Sequence, residues 1–246
     1  MPNDYASPEI ELLRSHSLAT IVQREIERRI LAGDWVPGKK LNEEDVAVIF
    51  SVSRGPVREA FRALESAGLL RVEKNRGVYV RQVSVDEADE IYEVRAGIDQ
   101  LIGRLLAERI TPAQVAELRA LLRKMQQQAR GRNVAGYYPL NVQFHAMLAA
   151  FTGNGALAAT YKRLVNALHL YRRETLERGP DSFPISTREH AQIVDAIAAG
   201  DADRAGKLLY RHAMESRDRL HAALRSTVHP EPVEGRARKK PARETA

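Results

Sequence analysis

The run Ser53-Arg54-Gly55-Pro56-Val57-Arg58-Glu59-Ala60-Phe61-Arg62 restricts this chain more than any other stretch. Val57, Ala60, Phe61 and Leu64 recur at helical spacing and share one face. Arg54, Arg58 and Arg62 follow an i, i+4, i+8 row on another. Such a helix rests on a core and turns its guanidinium groups outward. Ser53 is a favourable N-cap, and Pro56 falls in the first turn, where a missing N–H removes no helical bond. Gly55 carries no side chain, so the backbone there can approach a phosphate closely. An arginine stripe alone suits a solvated face as well as a nucleic-acid reader, and the flanking residues separate the two readings.

Upstream, Leu41 to Phe50 reads as a short helix with Asn42 as its cap and Leu41 and Val46 at the hydrophobic-staple positions. Only Ser51 and Val52 lie between it and Ser53, which suits a helix-turn-helix. Downstream, Gly68 ends the second helix. Leu70 to Glu73 and Val78 to Arg81 then read as strands flanking a basic turn, Lys74-Asn75-Arg76-Gly77. Helix, turn, helix and basic hairpin make a winged helix-turn-helix, a module for double-stranded DNA. Arg54 and Arg58, near the helix start, are placed for base edges, and Arg62 for phosphate. Lys74 and Arg76 are placed for backbone or minor groove.

With these motifs, residues 18–81 resemble the DNA-binding domain of GntR-family bacterial transcription regulators. Val52 to Ala60 and the wing Asn75-Arg76-Gly77 carry the resemblance. It implies that Arg54 and Arg58 contact operator bases or phosphates, and that Gly77 lies at the wing tip in the minor groove. Some members carry a basic residue in the helix before the turn. This chain has Glu44 there, so no DNA contact transfers to that position.

Composition fits but does not carry this reading. The formal charge of +6 is unevenly spread: residues 1–81 hold +1, residues 82–224 hold +2, and the last 22 residues hold +3. The DNA argument therefore rests on where the arginines lie. With no cysteine, disulfides and Cys-ligated zinc are excluded. No apolar run has membrane-span length and the first residues lack a signal-peptide core, so a cytoplasmic protein without membrane contact is expected. Residues 226–246 are rich in Pro, Arg, Lys and Glu and read as a disordered tail, and residues 1–15 as loosely ordered.

The expected fold is mainly α: a winged helix-turn-helix over residues 16–82 and an antiparallel bundle of about six helices over residues 83–225. Ser84 and Glu87 form a capping-box pair before a helix from Asp86 to Ile110, with Ile91, Ile98, Leu101, Ile102 and Leu105 facing a core. Thr111-Pro112 starts a second helix that reaches Gly131, and a third spans about Val134 to Phe151. A fourth runs from about Ala156 to Arg178. Ser186 and Glu189 look like a capping box for a fifth, ending at Gly200, and Asp201 caps a sixth that runs to about Leu224.

Within the bundle, Asn141 and His145 are spaced i, i+4. His190 lies ten residues before Gly200, and His212 lies twelve after it. If those two helices form a hairpin, both imidazoles sit roughly 15–18 Å from the turn, at similar height. Three imidazoles and an amide oxygen could converge on a divalent ion of the zinc, nickel, copper or iron type, although each histidine alone fits an ordinary core or surface site. Residues 86–224 resemble the ligand-binding (FCD) domain of the FadR-type branch of GntR regulators. Glu93-Val94-Arg95, Asn141 to His145, Gly153-Asn154, Glu189-His190, Gly200-Asp201 and His212 carry that likeness. The resemblance implies a metal, zinc before nickel or another ion, held by His145, His190 and His212, and a bound carboxylate effector. Asn141 stands where many relatives have Asp.

Arg95 lies among Ile91, Ile98 and Ile102 and needs a partner. Asp99, one turn on, is one choice; the carboxylate of an organic, amino or sugar acid, held bidentately, is the other. Asn166 and His169 are further effector-binding candidates, with Tyr137, Tyr138 and Tyr171 behind them. The sequence reads as a homodimeric regulator on a short palindromic operator, controlled by that acid, and not as an enzyme. A metal-dependent hydrolase fused to a DNA-binding module and a ligand-independent DNA-binding protein are the alternatives.

Overall fold

The computed structural model describes residues 17–169, 171, 175 and 182–228. The expected loose N-terminus and most of the expected tail lie outside these residues. Helix α1 (Leu18–Ala32) starts at Ser17, whose hydroxyl accepts the Thr20 N–H, and buries Val22, Ile26 and Ile30 at i, i+4, i+8. A short strand β1 (Lys40–Leu41) follows. Helix α2 (Glu43–Phe50) is capped by Asn42, whose Oδ1 accepts the Glu44 N–H at 2.9 Å. Leu41 and Val46, the staple pair, are both buried in the same core.

Helix α3 (Arg54–Ser66) buries Val57, Ala60, Phe61 and Leu64, as the periodicity requires. Ser53 occupies the cap position, but its side chain makes no capping hydrogen bond. The start of α3 is fixed instead by Pro56 in the first turn and by packing of Val57 and Phe61. Gly68 follows α3 with φ +79°; a Cβ there would come within 3.0 Å of the Arg163 carbonyl, so this close approach requires glycine. Strands β2 (Leu70–Glu73) and β3 (Gly77–Val80) pair antiparallel in the register Leu70↔Val80 and Glu73↔Gly77. The sheet order is β1-β3-β2. The two residues of β1 were not anticipated, because a strand that short has no periodicity to detect.

Six described helices follow: α4 (Val85–Arg109), α5 (Pro112–Arg130), α6 (Val134–Phe151), α7 (Gly155–Ala167), α8 (Ser182–Ala198) and α9 (Ala202–Val228). Ser84 accepts the Glu87 N–H, but Glu87 itself turns to Arg81 at 2.6 Å, so only half of that capping box forms. Thr111 and Gln114 form a complete one. Ser186 is not a cap: it lies within α8, which begins four residues earlier. Pro184 is tolerated in the first turn, and Phe183 is buried edge-on against Tyr137 at 4.8 Å. Leu101 is exposed rather than in the core, because the buried stripe of α4 is Arg95, Asp99, Ile102 and Leu106. Beyond Ala167 the expected fourth helix runs partly outside the described residues. Asp201 caps α9 through the Arg204 N–H, and α9 extends to Val228, past the expected end.

Helix α9 lies along α4, with tight contact at Gly103, where a Cβ would sit 2.6 Å from the Ala205 carbonyl. Small residues at this crossing bring the faces that carry Arg95 and His212 together. At the junction between the winged helix and the bundle, Asn166 Nδ2 donates to the Ala67 carbonyl at 2.8 Å and Tyr171 Oη to the Val83 carbonyl at 2.7 Å.

Candidate functional sites

The outward face of α3 carries Arg54, Arg58 and Arg62, all exposed, with Gly55 open in front of them. Two of the three guanidiniums are engaged by the first turn of α2. Arg54 Nη2 lies 2.6 Å from Glu44 Oε1, and Arg58 donates Nη2 and Nε to Glu43 at 2.9 and 3.2 Å. The Arg58 hydrogen bond, with further attraction from Arg54 and Arg62, holds the Glu43 carboxyl below its usual range although partial burial opposes this. Arg62 makes no ion pair among the described residues.

In the wing, Lys74 and Arg76 are exposed at the turn, and Asn75 adopts φ +62°. Arg76 leans on Glu73 at 3.6 Å, and Arg71 pairs with the same carboxylate. Gly77 is not at the tip: it is the first residue of β3, paired with Glu73, and its φ of +120° brings the backbone under the Lys40 side chain. Lys40, also beside the Tyr79 ring, is a cation of this surface that the sequence reading missed, because β1 was not foreseen.

Inside the bundle, His145 on α6, His190 on α8 and His212 on α9 converge, all buried. His212 Nε2 lies 3.2 Å from His190 Nε2 and 3.4 Å from His145 Nε2. One ring nitrogen from each of the three lies within 4.8 Å of the others, a grouping that could hold a metal ion. The His212 ring is oriented from behind: its Nδ1 meets Glu189 Oε2 at 2.6 Å, and Arg219 clamps that carboxylate at 2.9 and 3.1 Å. A carboxylate behind an imidazole places the proton on Nδ1 and leaves Nε2 as a ligand. Burial drives the His212 pKa down to about 4 against the opposing pull of Glu189, so the ring is neutral at pH 7. Burial works against the Glu189 charge, but His212 and Arg219 outweigh it and bring that carboxyl to about 2. Asn141, one turn before His145, is buried, and its Oδ1 accepts no hydrogen bond among the described residues. A buried amide oxygen with no hydrogen-bond partner among the described residues, one turn from a cluster of three imidazoles, fits a divalent ion of the zinc type.

Arg95 borders the same interior. It is fully buried, its Nε lies 3.1 Å from Asp99 Oδ2 and 3.4 Å from Tyr161 Oη, and Tyr161 Oη also lies 3.4 Å from His145 Nδ1. Burial disfavours its charge, but Tyr161, Asp99 and Tyr92 more than compensate, so the guanidinium stays charged. Neither Nη1 nor Nη2 has a hydrogen-bond partner among the described residues. Of the two partners expected for Arg95, Asp99 is present, and it leaves the outer fork of the guanidinium open. Asn166 and His169 are not brought to this cluster. They lie on a neighbouring cavity of about 300 Å³ whose wall includes Tyr161. There His169 Nε2 meets Asn166 Oδ1 at 3.1 Å, and Tyr138 Oη donates to the His169 carbonyl at 2.9 Å.

Comparison with known proteins settles the family. Residues 18–80 match the model of bacterial regulatory proteins, gntR family, and residues 90–215 match the FCD domain. The chain belongs to the gntR family of bacterial regulatory proteins. It is 30% identical over 223 residues to the transcriptional repressor NanR of Salmonella newport, covering 81% of this chain and 84% of that one. It is 28% identical over 193 residues to the Nta operon transcriptional regulator of Aminobacter aminovorans, covering 78% and 89%. Among solved structures, E. coli McbR/YncC superposes with a TM-score of 0.75 at 22% identity over 85% of this chain and 99% of that one, a likeness of fold. A putative GntR regulator from Rhodococcus sp. RHA1 gives 0.68 at 25% identity, over 84% and 99%. This regulator is therefore a DNA-binding transcription factor with an FCD effector domain. Its relatives are regulators, which removes the hydrolase alternative. Among the described residues no helix is long and apolar enough to cross a membrane.

Proposed function

We propose that this regulator binds a short palindromic operator as a homodimer, and that a small acid in the bundle sets its affinity. The units would be the winged helix over residues 16–82 and the effector domain over 83–225, acting in the cytoplasm. Ser53, Arg54, Gly55, Arg58 and Arg62 would face the major groove and its phosphates, with Lys74, Arg76 and the backbone at Gly77 along the adjacent backbone or minor groove. The observation that carries the effector reading is Arg95: a buried guanidinium whose two terminal nitrogens have no hydrogen-bond partner among the described residues, one tyrosine away from the histidine cluster. A carboxylate is the complementary group for that fork. His145, His190, His212 and Asn141 would hold a divalent ion, zinc before nickel. When bound, the ion supplies a Lewis-acidic contact for a carboxylate oxygen. Arg95 binds and orients the acid, Tyr161 donates or accepts between Arg95 and His145, and Glu189 keeps the proton of His212 on Nδ1. Asn166 and His169 sit between this interior and Ala67 at the end of α3, a position from which ligand binding can favour one placement of the winged domain. Switching requires different ligand affinity for DNA-competent and DNA-incompetent states.

A thermal-shift screen of organic, amino and sugar acids, with and without zinc, tests this reading. Stabilisation by one acid class in the wild type and not in Arg95→Met supports it. Equal stabilisation of both proteins places the ligand elsewhere.

A further inference from the structure

We propose that Glu43 and Glu44 are specificity-determining residues: by holding Arg58 and Arg54 in ion pairs across the helix-turn-helix, they penalise attachment to DNA that offers phosphates but not the right base edges. The proposal rests on the reading that α3 enters the groove. The geometry that supports it is local. Glu44 Oε1 lies 2.6 Å from Arg54 Nη2, and Glu43 binds Arg58 through both Nε and Nη2. Both carboxylates sit in the first turn of α2, fixed by the Asn42 cap, so they travel with the winged domain as a rigid unit. Their partners are the two arginines nearest the start of α3.

A phosphate is a single anionic group and must compete with a carboxylate already in contact with the same guanidinium. Displacing the carboxylate leaves it against the DNA backbone, where like charges repel. A guanine edge instead offers two neutral acceptors, O6 and N7, to the guanidinium fork. An arginine can meet that edge with part of its fork while another N–H stays on the carboxylate. The carboxylates therefore weaken phosphate contacts, which all sequences share, more than base contacts, which only the operator supplies. They also tie each of the two side chains to a fixed carboxylate, which lowers the entropy lost on reading a base.

Asp45 supplies the control. It lies in the same acidic first turn, is exposed, and forms no ion pair among the described residues. Glu44→Gln and Asp45→Asn change net charge equally, but only the first releases an arginine.

The full-length protein is first used to select duplexes from a random library. Binding of the selected duplex and of a scrambled duplex of equal composition is then measured against salt by fluorescence anisotropy, for wild type, Glu44→Gln, Glu43→Gln/Glu44→Gln and Asp45→Asn. Each freed arginine should steepen the log–log salt dependence on scrambled DNA by about 0.9 and tighten that binding up to roughly eightfold at 0.1 M salt. The selected duplex should gain less, so discrimination falls. Asp45→Asn should leave discrimination unchanged, as should Glu44→Gln in an Arg54→Ala background. Should Glu44→Gln fold poorly by circular dichroism, Glu44→Ala makes the same comparison. Equal tightening on both duplexes, or the same response from Asp45→Asn, overturns the proposal. A wild-type protein that enriches no sequence overturns the groove-reading assignment itself, a failure visible before any glutamate variant is measured.

Discussion

Replacing Arg95 by Met separates what this residue does for stability from what it does for recognition. The guanidinium is fully buried, 3.1 Å from Asp99, itself only 1% exposed. Methionine fills a similar volume but removes the cation, leaving a buried carboxylate without its guanidinium. Breaking a buried pair by deleting one partner costs about 3–5 kcal/mol. In a chain of this size that corresponds to a midpoint lowered by roughly 6–20 °C. Arg95→Met/Asp99→Asn removes both charges and should recover most of the loss, since a buried pair is of little net benefit over neutral packing. Neither variant retains the open fork, so neither should be stabilised by the acid that stabilises wild type. Urea denaturation with and without ligand measures both quantities. A single variant that loses less than about 1 kcal/mol, a double variant that recovers nothing, or either one keeping the ligand response would refute the reasoning.

Further outcomes follow from the two sites. Arg54→Ala should weaken operator binding by about 1–3 kcal/mol and relax base preference at one position, read by repeating duplex selection; unchanged affinity and preference would remove α3 from the groove. Replacing His145 and His190 by Ala should abolish metal content in elemental analysis; freshly purified wild type free of metal would show that the site is not loaded as isolated. Glu189→Gln removes the carboxylate behind His212 and should lower zinc affinity about 10–100-fold by competition with a chelator, whereas an unchanged affinity would deny Glu189 that role. Hydrogen bonds from Arg28 and Arg29 bring the Glu25 carboxyl down to about 2. A carboxyl with a depressed folded-state pKa stabilises above its unfolded pKa, and that contribution is lost as the pH falls through the unfolded value toward 2. Glu25→Gln should therefore flatten the acid limb of α1 unfolding, as seen in hydrogen exchange; an identical limb would mean that these exposed pairs contribute nothing.

Where a long apolar period meets strong caps, the sequence reading and the structure agree. Helix α6 runs from Val134 to Phe151 as expected, and Thr111 caps α5 as expected. The histidine convergence was legible because counting from Gly200 along two antiparallel helices fixes relative height, and the 3.2 Å separation of His190 and His212 bears out the count. What stayed hidden depends on contacts between distant segments. Glu189 reaches His212 across 23 residues and Arg219 across 30, and no local pattern signals either. The Ser186 box failed because Pro184 and Phe183 let α8 start earlier, and tertiary packing of Phe183 outweighed a local capping signal. Leu101 was misplaced because the packing of α9 selects a stripe of α4 about 100° around the helix from it. Asn166 and His169 do line a cavity, but no local pattern signals that Asn166 spends its amide on Ala67, a partner 99 residues away.

Control of operator affinity by a ligand in the bundle is the central proposal for this regulator. It is tested most directly by titrating the selected duplex with wild type and with Arg95→Met, each with and without saturating stabilising acid and zinc. The acid should shift the wild-type Kd by about 5–150-fold and leave Arg95→Met unmoved. A wild-type Kd that stays the same while the acid is demonstrably bound would contradict it.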